Sequence, residues 1–588
     1  MRFLSVRHSA LSLALAGAFL ALPSAQAAVR FSEAVDGLYA DTTHPGRGWV
    51  VDHIAFPNGD GIFYMFSSAY DSTGKQVWLT TNFDTKEFEY KKTDIPFAIP
   101  TGGRFGDTWP TAVSTTISGK MDVEIMSCDE IKLTLRPDAT TGLPTSTQTL
   151  TSSAAYVDSV PGLDTVNDRC AIKRKFTTCP AGTTAGPVDR SCILTGTIAS
   201  NLTLTNETTW ILKGLVKVGT DNSNKVTLTI EPGTLITGSG NTADYLYVEP
   251  GSKINAQGTP YAPIIFTSQR DGVVGGTPAP KDWGGIVVSG NAPNNKCLTA
   301  PFDCRSEFDP TLRYGGDKPH ESSGVIDYVQ VRYAGYVFQP TREVNSFTFQ
   351  SVGDGTVVDH IQSYRGGDDG IEFFGGNVGV KHAVLAEGGD DGLDWDEGYS
   401  GKIQFVLLQH GTGLGEDNGI EASNQNANQD ATPRAQPTVA NLTMIGNGNG
   451  GDGIRFKEGT GGHIKNSVFT GFKASCLNLV NTPTFTAAGT PSALTGVLTV
   501  DHTLFNCTTQ FKQDDGAPWT AQAFYTAQTG NLQGDPLMQG FLPKAGSPLL
   551  DSGLIQTNDA FFTPTSYIGA FRDGNDDWTK GWTYNVKR

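Results

Sequence analysis

Apolar and polar residues alternate along residues 358–472 in units of about twenty residues, and each unit carries a glycine-rich polar turn. The units read VDHIQSYRGGDDGIEFFGGN, VKHAVLAEGGDDGLDWDEG, KIQFVLLQHGTGLGEDNGIEASN, VANLTMIGNGNGGDGIRFKEG and HIKNSVFTGF. Asp-Gly pairs recur at Asp369, Asp391 and Asp452, the first two 22 residues apart, and Asn418 takes the place of the third aspartate. A unit of this length cannot bury its apolar face alone and must stack on its neighbours. The pattern therefore predicts a parallel β-helix.

A second polar column keeps step with these turns. Its first two members, His360 and His382, are also separated by 22 residues. The full column consists of His360, His382, Gln404, Asn441, Asn466 and His502. Polar side chains stacked at successive corners of a coil satisfy one another by hydrogen bonds, so we interpret this column as structural rather than catalytic.

The same alternation divides the chain into parts. Residues 194–514 continue the coil, with the Glu-Pro-Gly turns of TLTIEPGTLITG and LYVEPGSKINAQG 18 residues apart. Residues 28–165 show alternation broken by short turns, which is typical of strands joined by hairpins. A polar linker over 166–193 joins the two parts, and the aromatic segment 515–588 is expected to cap the open last rung. The predicted fold is all-β: a right-handed parallel β-helix preceded by a small antiparallel β domain.

Residues 1–27 have the order of a secretory signal peptide. Two arginines precede an apolar run over 11–22, and Ala-Gln-Ala at 25–27 supplies the small residues of a cleavage site. No other run is long and apolar enough to cross a bilayer, so no transmembrane segment is expected. We therefore expect an exported protein, located in the periplasm, on the outer surface or outside the cell.

Composition narrows the range of partners. The 588 residues include 70 glycines and only 18% charged residues, which fits short strands and many turns. A net charge of −17 repels phosphate backbones, so nucleic acid is not an expected partner. Polysaccharides and divalent cations are compatible with this charge. We expect no organic cofactor, and the sequence leaves the oligomeric state open.

The eight cysteines fall into four pairs of sequence neighbours. An even number of cysteines in an exported chain predicts disulfides, although 105 pairings are formally open. The predicted disulfides join Cys128 to Cys170, Cys179 to Cys192, Cys297 to Cys304 and Cys476 to Cys507. The C-x-x-C spacing of zinc sites is absent from the sequence. The pair at 297 and 304 lies in a polar stretch, 292–323, that we expect to form a loop outside the coil.

Two resemblances accompany these patterns. From about residue 190 the chain resembles a group of exported bacterial β-helix proteins of largely unknown function. They share W-G-G-I-V-x-x-G-x-A-P, G-D-D-G-I-E-x-F-G-G, D-W-x-x-G-x-x-G-K-x-Q-F and Y-I-G-A-F…W-T-x-G-W, found here at 283–293, 367–376, 394–405 and 567–582. The amino-terminal part resembles a module of exported proteobacterial proteins, with Gly46, Gly48 and Trp49 as its G-x-G-W element and a Y-D-x-x-G-x-x-x-W hairpin from Tyr70 to Trp78. These resemblances imply fold and export, and no activity.

The central units also predict a charged outer face. The apolar residues expected to point inward are Ile371, Leu393, Ile420 and Ile454. The residues expected to point outward are Glu372, Asp394, Glu421 and Arg455, followed two positions later by Asp396, Ser423 and Lys457. Rungs stack about 4.8 Å apart, so neighbouring carboxylates repel by about 3 kcal/mol per pair at an effective dielectric near 20. A compensating positive charge is therefore expected at this face.

Three interpretations of this charged face are open. In the structural one, Arg455 and Lys457 end the column with charge pairs, and the Asp-Gly turns use the tolerance of aspartate for left-handed backbone. In the binding one, hard oxygen ligands hold calcium. The candidate ligands are Asp368, Asp369, Asp390, Asp391, Asp394, Glu416 and Asp417.

The third interpretation is a polysaccharide-degrading site, either a glycoside hydrolase or a lyase. Paired carboxylates serve as acid and base in glycoside hydrolysis. The candidates are Asp369, Asp390, Asp391, His410, Arg455 and Lys457. Their order resembles the Asp, Asp-Asp, Gly-His-Gly and Arg-Ile-Lys elements of polygalacturonases, but His410 lacks the preceding glycine, Phe456 replaces isoleucine and the last gap is longer.

We rank a binding, adhesive or structural protein first, with calcium on its acidic face and a polysaccharide or cell-surface glycan as ligand. An acid–base pair needs carboxylates in different environments, and these rungs look alike. The enzyme is the alternative.

Overall fold

The structure is a computed structural model of the chain, and it describes most of the predicted domains. The described residues are 31, 35–41, 48–71, 73–100, 116–127, 130–152, 178–188, 190–220, 222, 224–240, 243–260, 262–272, 276–339, 342–412, 417–554 and 559–588. The predicted signal peptide, Cys128, Cys170 and Glu416 lie outside the described residues.

Eight antiparallel strands close into a barrel at the amino-terminal end. They are β1 (Gly37–Asp41), β2 (Gly48–Ala55), β3 (Gly61–Tyr70), β4 (Gln76–Thr85), β5 (Lys91–Ala98), β6 (Ile117–Ser127), β7 (Glu130–Pro137) and β8 (Ser146–Ser152), with a 3₁₀ turn at Ala139–Thr141. Their alternate residues fill the barrel, since Phe63, Met121 and Leu133 are fully buried. Trp49 of the G-x-G-W element is buried in the same core. This confirms the small antiparallel β domain.

The described residues from 178 onward form a parallel β-helix with short hairpins and two short helices. Its strands are β9 (Thr184–Ala185), β10 (Ser191–Ile198), β11 (Leu202–Leu204), β12 (Thr209–Val218), β13 (Thr227–Ile230), β14 (Leu235–Gly238), β15 (Tyr245–Val248), β16 (Lys253–Gln257), β17 (Ile264–Ser268), β18 (Ile286–Ser289), β19 (Cys304–Arg305), β20 (Arg313–Tyr314), β21 (Gly324–Arg332), β22 (Val337–Gln339), β23 (Arg342–Glu343), β24 (Phe347–Gln350), β25 (Val357–Tyr364), β26 (Ile371–Phe374), β27 (Gly379–Ala386), β28 (Leu393–Asp396), β29 (Lys402–Gln409), β30 (Ile420–Ala422), β31 (Thr438–Ile445), β32 (Asp452–Phe456), β33 (Gly462–Lys465), β34 (Val468–Thr470), β35 (Ser475–Leu479), β36 (Gly489–Thr490), β37 (Ala493–Leu494), β38 (Leu498–Asp501), β39 (Leu504–Asn506), β40 (Phe511–Gln513), β41 (Leu532–Gln533), β42 (Met538–Gln539) and β43 (Leu542–Pro543). The helices are α1 (Thr482–Ala488) and α2 (Ala521–Thr526).

Parallel pairing arranges these strands in three sheets. Sheet I consists of β15, β18, β24, β26, β28, β30, β32, β35 and β40. The long strands β21, β25, β27, β29 and β31 bend in the middle, so that their first halves belong to sheet II and their second halves to sheet III. One turn of the coil thus passes through all three sheets, which confirms the predicted parallel β-helix.

Aligned apolar side chains fill the interior of the coil. In sheet I, Ile371 pairs with Leu393, Leu393 with Ile420 and Ile420 with Ile454, and all four are fully buried. Burial of each such side chain stabilises the fold by about 1.5–3 kcal/mol. The prediction of the inward-facing residues is therefore confirmed. The same register fixes which side chains face outward.

The bend between sheets II and III is formed by residues in left-handed backbone conformation. The φ angles are 45° at His360, 47° at His382 and 63° at Phe405. Their rings stack, with centroids 4.4 Å apart for the two histidines and 4.9 Å apart for His382 and Phe405. The assignment of Gln404 to this column was wrong, because Gln404 pairs with Lys381 and Phe405 takes the corner. The first part of the column is therefore held by ring stacking.

The carboxy-terminal segment that was predicted to cap the coil, residues 515–588, divides into two parts. The end of the coil is covered by α2, whose Phe524 and Tyr525 are buried, and the Tyr525 ring stacks on Phe505 at 4.4 Å. Residues 559–588 instead run back along the outside of sheet III, where Trp582 packs with Leu407. The first part of the segment therefore covers the end of the coil, and residues 559–588 form a strap along its side.

Amide side chains bind this strap in place of strand pairing. Gln362 Nε2 donates to the Tyr584 carbonyl and its Oε1 accepts from the Tyr584 N–H, both at 2.7 Å. Gln404 makes the same pair of bonds with Thr563, both at 2.8 Å. Each side-chain amide thus bonds both the N–H and the carbonyl group of one strap residue, as the backbone of a neighbouring strand would. These bonds satisfy the polar backbone groups of the strap.

One buried arginine joins the barrel, the coil and the strap. Arg332 donates to both carboxylate oxygens of Glu87 in the barrel, at 2.6 and 2.8 Å, and to Asp271 in the coil at 3.2 Å. Its guanidinium lies 3.7 Å from the centre of the Tyr584 ring. Burial of this set ties the three parts together.

Three of the predicted disulfides are present: Cys179–Cys192, Cys297–Cys304 and Cys476–Cys507. The fourth predicted pair lies outside the described residues. Among the described residues, no helix has the length and apolar composition of a membrane span.

Candidate functional site

The outer face of sheet I carries the predicted charged column. Glu372 pairs with Asp394, Asp394 with Glu421 and Glu421 with Arg455 on consecutive strands. Each lies between two buried residues of its own strand, so its side chain points outward. The outward set predicted from the alternation is therefore placed as expected.

The Asp-Gly turns form a second row along the edge of sheet I. Asp369 Oδ1 accepts the Asp391 N–H at 3.1 Å, and Asp391 Oδ1 accepts the Asn418 N–H at 2.6 Å. Asn418 Oδ1 in turn accepts the Asp452 N–H at 3.0 Å. Each side chain thus ties its own rung to the next, and Asp369 and Asp391 keep their second carboxylate oxygen for another partner.

The expected left-handed backbone at these aspartates was wrong. Positive φ is absent at Asp369 and Asp391 in the described structure. The glycine after each is required by close packing instead, because a Cβ on Gly370 would lie 2.7 Å from the Gly392 carbonyl oxygen of the next rung. The same contact recurs at Gly453 with the carbonyl of Cys476. The Asp-Gly pair therefore lets adjacent rungs pack closely: the aspartate bonds to the next rung, and the glycine leaves room for its carbonyl group.

The two rows bring carboxylates together in four overlapping groups of three. Within each group, the candidate ligand oxygens lie within 4.8 Å of one another. The groups are Asp368, Asp369 and Asp390; Asp369, Glu372 and Asp394; Asp390, Asp391 and Asp417; and Asp391, Asp394 and Glu421. We call these eight residues the acidic array. Asp394 belongs to two groups, and its Oδ1 is buried without a hydrogen-bond partner.

Proton binding is favoured at most carboxyls of the acidic array. Burial first, and neighbouring carboxylates second, raise the pKa of Asp390 to about 6 and that of Asp368 to about 8. The same causes raise the pKa values of four further carboxyls well above their usual range. These are Asp369, Glu372, Asp391 and Asp394. The array therefore holds protons at neutral pH or requires a cation to ionise.

Two cations end the outward column at one side. Lys457 forms an ion pair with Glu421 Oε2, and Arg455 Nη1 lies 3.6 Å from Glu421 Oε1. Burial alone would lower the pKa of Lys457, but Glu421 outweighs burial and raises it. Lys457 is therefore charged at neutral pH, and both cations neutralise one carboxylate, as the structural interpretation predicts. The rest of the array has no such partner among the described residues.

Two segments outside the coil complete the site. Asn345, after the β22–β23 hairpin, donates its Nδ2 to Glu372, and its own Oδ1 is buried without a partner. Glu307 lies between β19 and β20, just after the Cys297–Cys304 disulfide, and burial together with Glu397 raises its pKa to about 7. Sequence analysis missed both, because neither lies in the repeating register. Glu372 and Glu421 do lie in the repeating register. Their alignment with Asp394 on neighbouring strands could have identified them as candidate metal ligands from the sequence.

His410 does not join the acidic array. Its ring packs edge-on against Phe472, with centroids 5.2 Å apart, and both ring nitrogens are buried. Burial lowers its pKa to about 4, so the ring is neutral at neutral pH. The described groups of potential metal ligands in the array do not include it.

The array can bind a divalent metal ion. Carboxylate and amide oxygens are the hard ligands that Mg²⁺ and Ca²⁺ prefer, and six to eight of them surround Ca²⁺. The four groups, with the unpartnered oxygens of Asp394 and Asn345, supply such oxygens on adjacent rungs. A cation there would offset the repulsion among the carboxylates.

Comparison with known proteins agrees with this architecture. Residues 196–583 match a protein family described as a pectate-lyase-like β-helix domain. Neither the curated proteins nor the solved structures contain a match to the chain. The matched region covers more than half of the chain and includes the whole acidic array. The chain therefore belongs to the family of pectate-lyase-like β-helix domains.

Proposed function

We propose that this is an exported binding protein whose acidic array holds calcium and, through it, a polysaccharide. The observation that carries the proposal is the overlap of four carboxylate groups whose pKa values are raised by burial and mutual repulsion. A divalent cation is the simplest charge that neutralises such a set without a basic side chain at every rung. The pectate-lyase-like family supports a polysaccharide as the ligand.

Calcium suits the array better than magnesium for a geometric reason. The ligands lie on a flat sheet face and on its edge, and they come from different rungs. Magnesium demands near-ideal octahedral geometry, whereas calcium accepts irregular sets of carboxylates, carbonyls and waters. Part of the coordination shell would then be open to the hydroxyl or carboxylate oxygens of a sugar chain.

The second candidate function is polysaccharide cleavage on the same face. One observation favours it: the adjacent carboxyls Asp390 and Asp391 of one rung have different surroundings. Asp390 is more exposed than Asp391 and has a pKa of about 6, whereas Asp391 is buried, accepts hydrogen bonds from Asn418 and has a pKa well above its usual range. Such a separation is what an acid and a base require.

One set of measurements separates these functions. Calorimetry with calcium on chelator-treated protein tests the cation, and pectate, other uronic-acid polymers and neutral glycans are then tested for binding and for new reducing ends or unsaturated products. Calcium-dependent binding without products supports the binding protein. Turnover that is lost in Asp391→Asn, and retained in the exposed control Asp515→Asn, supports the enzyme. A protein that binds neither calcium nor glycan contradicts both.

A further inference from the structure

A cavity of about 410 Å³ lies between the amino-terminal barrel and the outside of the coil. Phe88 and Tyr90 line it from the barrel turn between β4 and β5, and Ile211, Leu235 and Ile265 line it from the coil. Ligand pockets typically measure about 300–1,000 Å³ and form preferentially where domains meet. The cavity has the size and the place of a ligand pocket, and its described lining contains none of the residues of the acidic array.

The coil side of the cavity is apolar although it lies on the outer face of a sheet. Strands β12, β14 and β17 pair in register, with Thr209 next to Leu235 and Leu235 next to Ile265. Their neighbours along the strands, such as Ile236, fill the core, so these residues and Ile211 point outward. An apolar patch on an outer face marks a contact with another molecule or domain. Here the barrel lies over the patch but leaves the cavity between them.

Two contacts between the barrel and the coil border the cavity. Phe88 packs on Gly272, where an added Cβ would lie 2.4 Å from the ring atom Cδ2. The Arg190 guanidinium lies 4.5 Å from the centre of the Tyr90 ring and donates to Glu124 Oε1 at 3.0 Å. Phe88, Gly272, Tyr90 and Arg190 all belong to the lining, so both sides of the cavity are held in position without a ligand.

Glu207 is the charged group of the cavity that has no partner among the described residues. Its Oε2 is buried without a hydrogen-bond partner, and no salt bridge to it forms within the described part of the chain. The other charged residues of the lining are paired: Lys86 with Asp60, Glu89 with Lys92, Arg190 with Glu124 and Asp271 with Arg332. A carboxylate that has lost water on one side without gaining a donor favours a cation that approaches through the cavity.

The turn that carries Glu207 is fixed in place. Asn206 Nδ2 donates to the Pro232 carbonyl at 3.0 Å, and the Thr209 N–H donates to the Arg190 carbonyl at 2.9 Å. Glu207 is therefore held at the border of the cavity before a ligand arrives, which lowers the entropy cost of binding.

We infer that this cavity binds a small organic amine with an aromatic body, and that Glu207 pairs with its ammonium group. The apolar patch and the rings of Phe88 and Tyr90 would bury the body, and the faces of aromatic rings also attract a cation. The net charge of −17 raises the local concentration of cations around the protein. A neutral analogue would leave Glu207 without a counter-charge, and an anionic one would be repelled. The site is separate from the acidic array, so the inference stands or fails independently of the proposed function.

The test uses three probes that share an indole ring and differ in charge: tryptamine, tryptophol and indoleacetate. Binding to the full chain is measured by calorimetry in the presence of chelator. We expect tryptamine to bind about tenfold or more tightly than tryptophol, and indoleacetate not to bind. Glu207→Gln should weaken tryptamine binding to the level of tryptophol. The control Asp515→Asn, which removes an exposed carboxylate after β40, should change neither affinity.

A second variant and a folding measurement complete the test. Leu235→Trp, which keeps Glu207 but fills the cavity, should weaken the binding of tryptamine and tryptophol alike. In thermal unfolding without ligand, Glu207→Gln should be at least as stable as the wild-type protein, because the carboxylate that it removes is unpaired. Equal affinity of the wild-type protein for tryptamine and tryptophol, unchanged tryptamine binding in Glu207→Gln, or no binding at millimolar tryptamine overturns the inference. An equal loss in Asp515→Asn would mean attraction by net charge alone and overturns it as well.

Discussion

Substitution of Asp394 by asparagine should have opposite effects on the metal-free and calcium-loaded protein. Asp394 is shared by two carboxylate groups of the array. At 4.8 Å and an effective dielectric near 20, each ionised neighbour contributes about 3 kcal/mol of repulsion. Partial protonation of the neighbours reduces that figure, so we expect Asp394→Asn to stabilise the chelator-treated protein by about 1–3 kcal/mol at pH 8.

Calcium should reverse the order of the two proteins. A ligand at one hundred times its dissociation constant stabilises the wild-type protein by about 2.7 kcal/mol. Asp394→Asn removes a ligand from two of the four groups, so we expect its gain to be less than about 1 kcal/mol. The assay is denaturant unfolding followed by tryptophan fluorescence, with chelator and with calcium, and Asp515→Asn serves as the control for charge.

The pH dependence follows from the same groups. The raised pKa values of Asp390 and Asp368 mean that the folded protein keeps protons which the unfolded chain has lost. Stability of the metal-free protein should therefore fall as pH rises from about 4 through about 8, and calcium should flatten the decline. The reasoning is refuted if metal-free Asp394→Asn is less stable than the wild-type protein at pH 8, or if the wild-type protein gains stability over that pH range.

Three further predictions concern the framework. Arg332→Met removes the buried ion pair with Glu87 and should cost about 3–5 kcal/mol in denaturant unfolding, with part of the loss restored by the added change Glu87→Gln. Gln362→Leu removes two hydrogen bonds to the strap and should make the carboxy terminus more sensitive to limited proteolysis, while the fold seen by circular dichroism is unchanged. Mass mapping of non-reduced peptides should find Cys128 joined to Cys170, and a free thiol at either position contradicts the pairing.

The coil could be predicted from the sequence because it obeys a local rule. Apolar alternation within each rung is set by the two-residue period of a strand, and Ile371, Leu393 and Ile420 satisfy it without reference to distant residues. The outward positions of Glu372 and Asp394 follow from the same period. One error came from spacing: Phe405 lies 23 residues after His382, whereas His382 lies 22 after His360, so a column based on polar residues selected Gln404 instead.

The remainder of the site depends on contacts between residues far apart in the chain. Asn345 and Glu307 reach the array from segments that have no repeating pattern. The environment of Asp391 also differs from that of Asp390 through its deeper burial and its hydrogen bonds from Asn418, a residue of the next rung. Alternation specifies the direction of a side chain, but it does not specify what approaches from outside the coil.

The strap covers apolar side chains on the outside of sheet III. Its partners Gln362 and Gln404 are separated from it by 222 and 159 residues, so these bonds form only after the coil has been assembled. Until then, Val384 and Leu407 on the outside of sheet III remain exposed to solvent. A variant truncated before residue 559 should keep a folded coil but expose apolar side chains of sheet III. Such exposure favours proteolysis and self-association. The strap is therefore expected to protect the outside of sheet III from proteolysis and self-association.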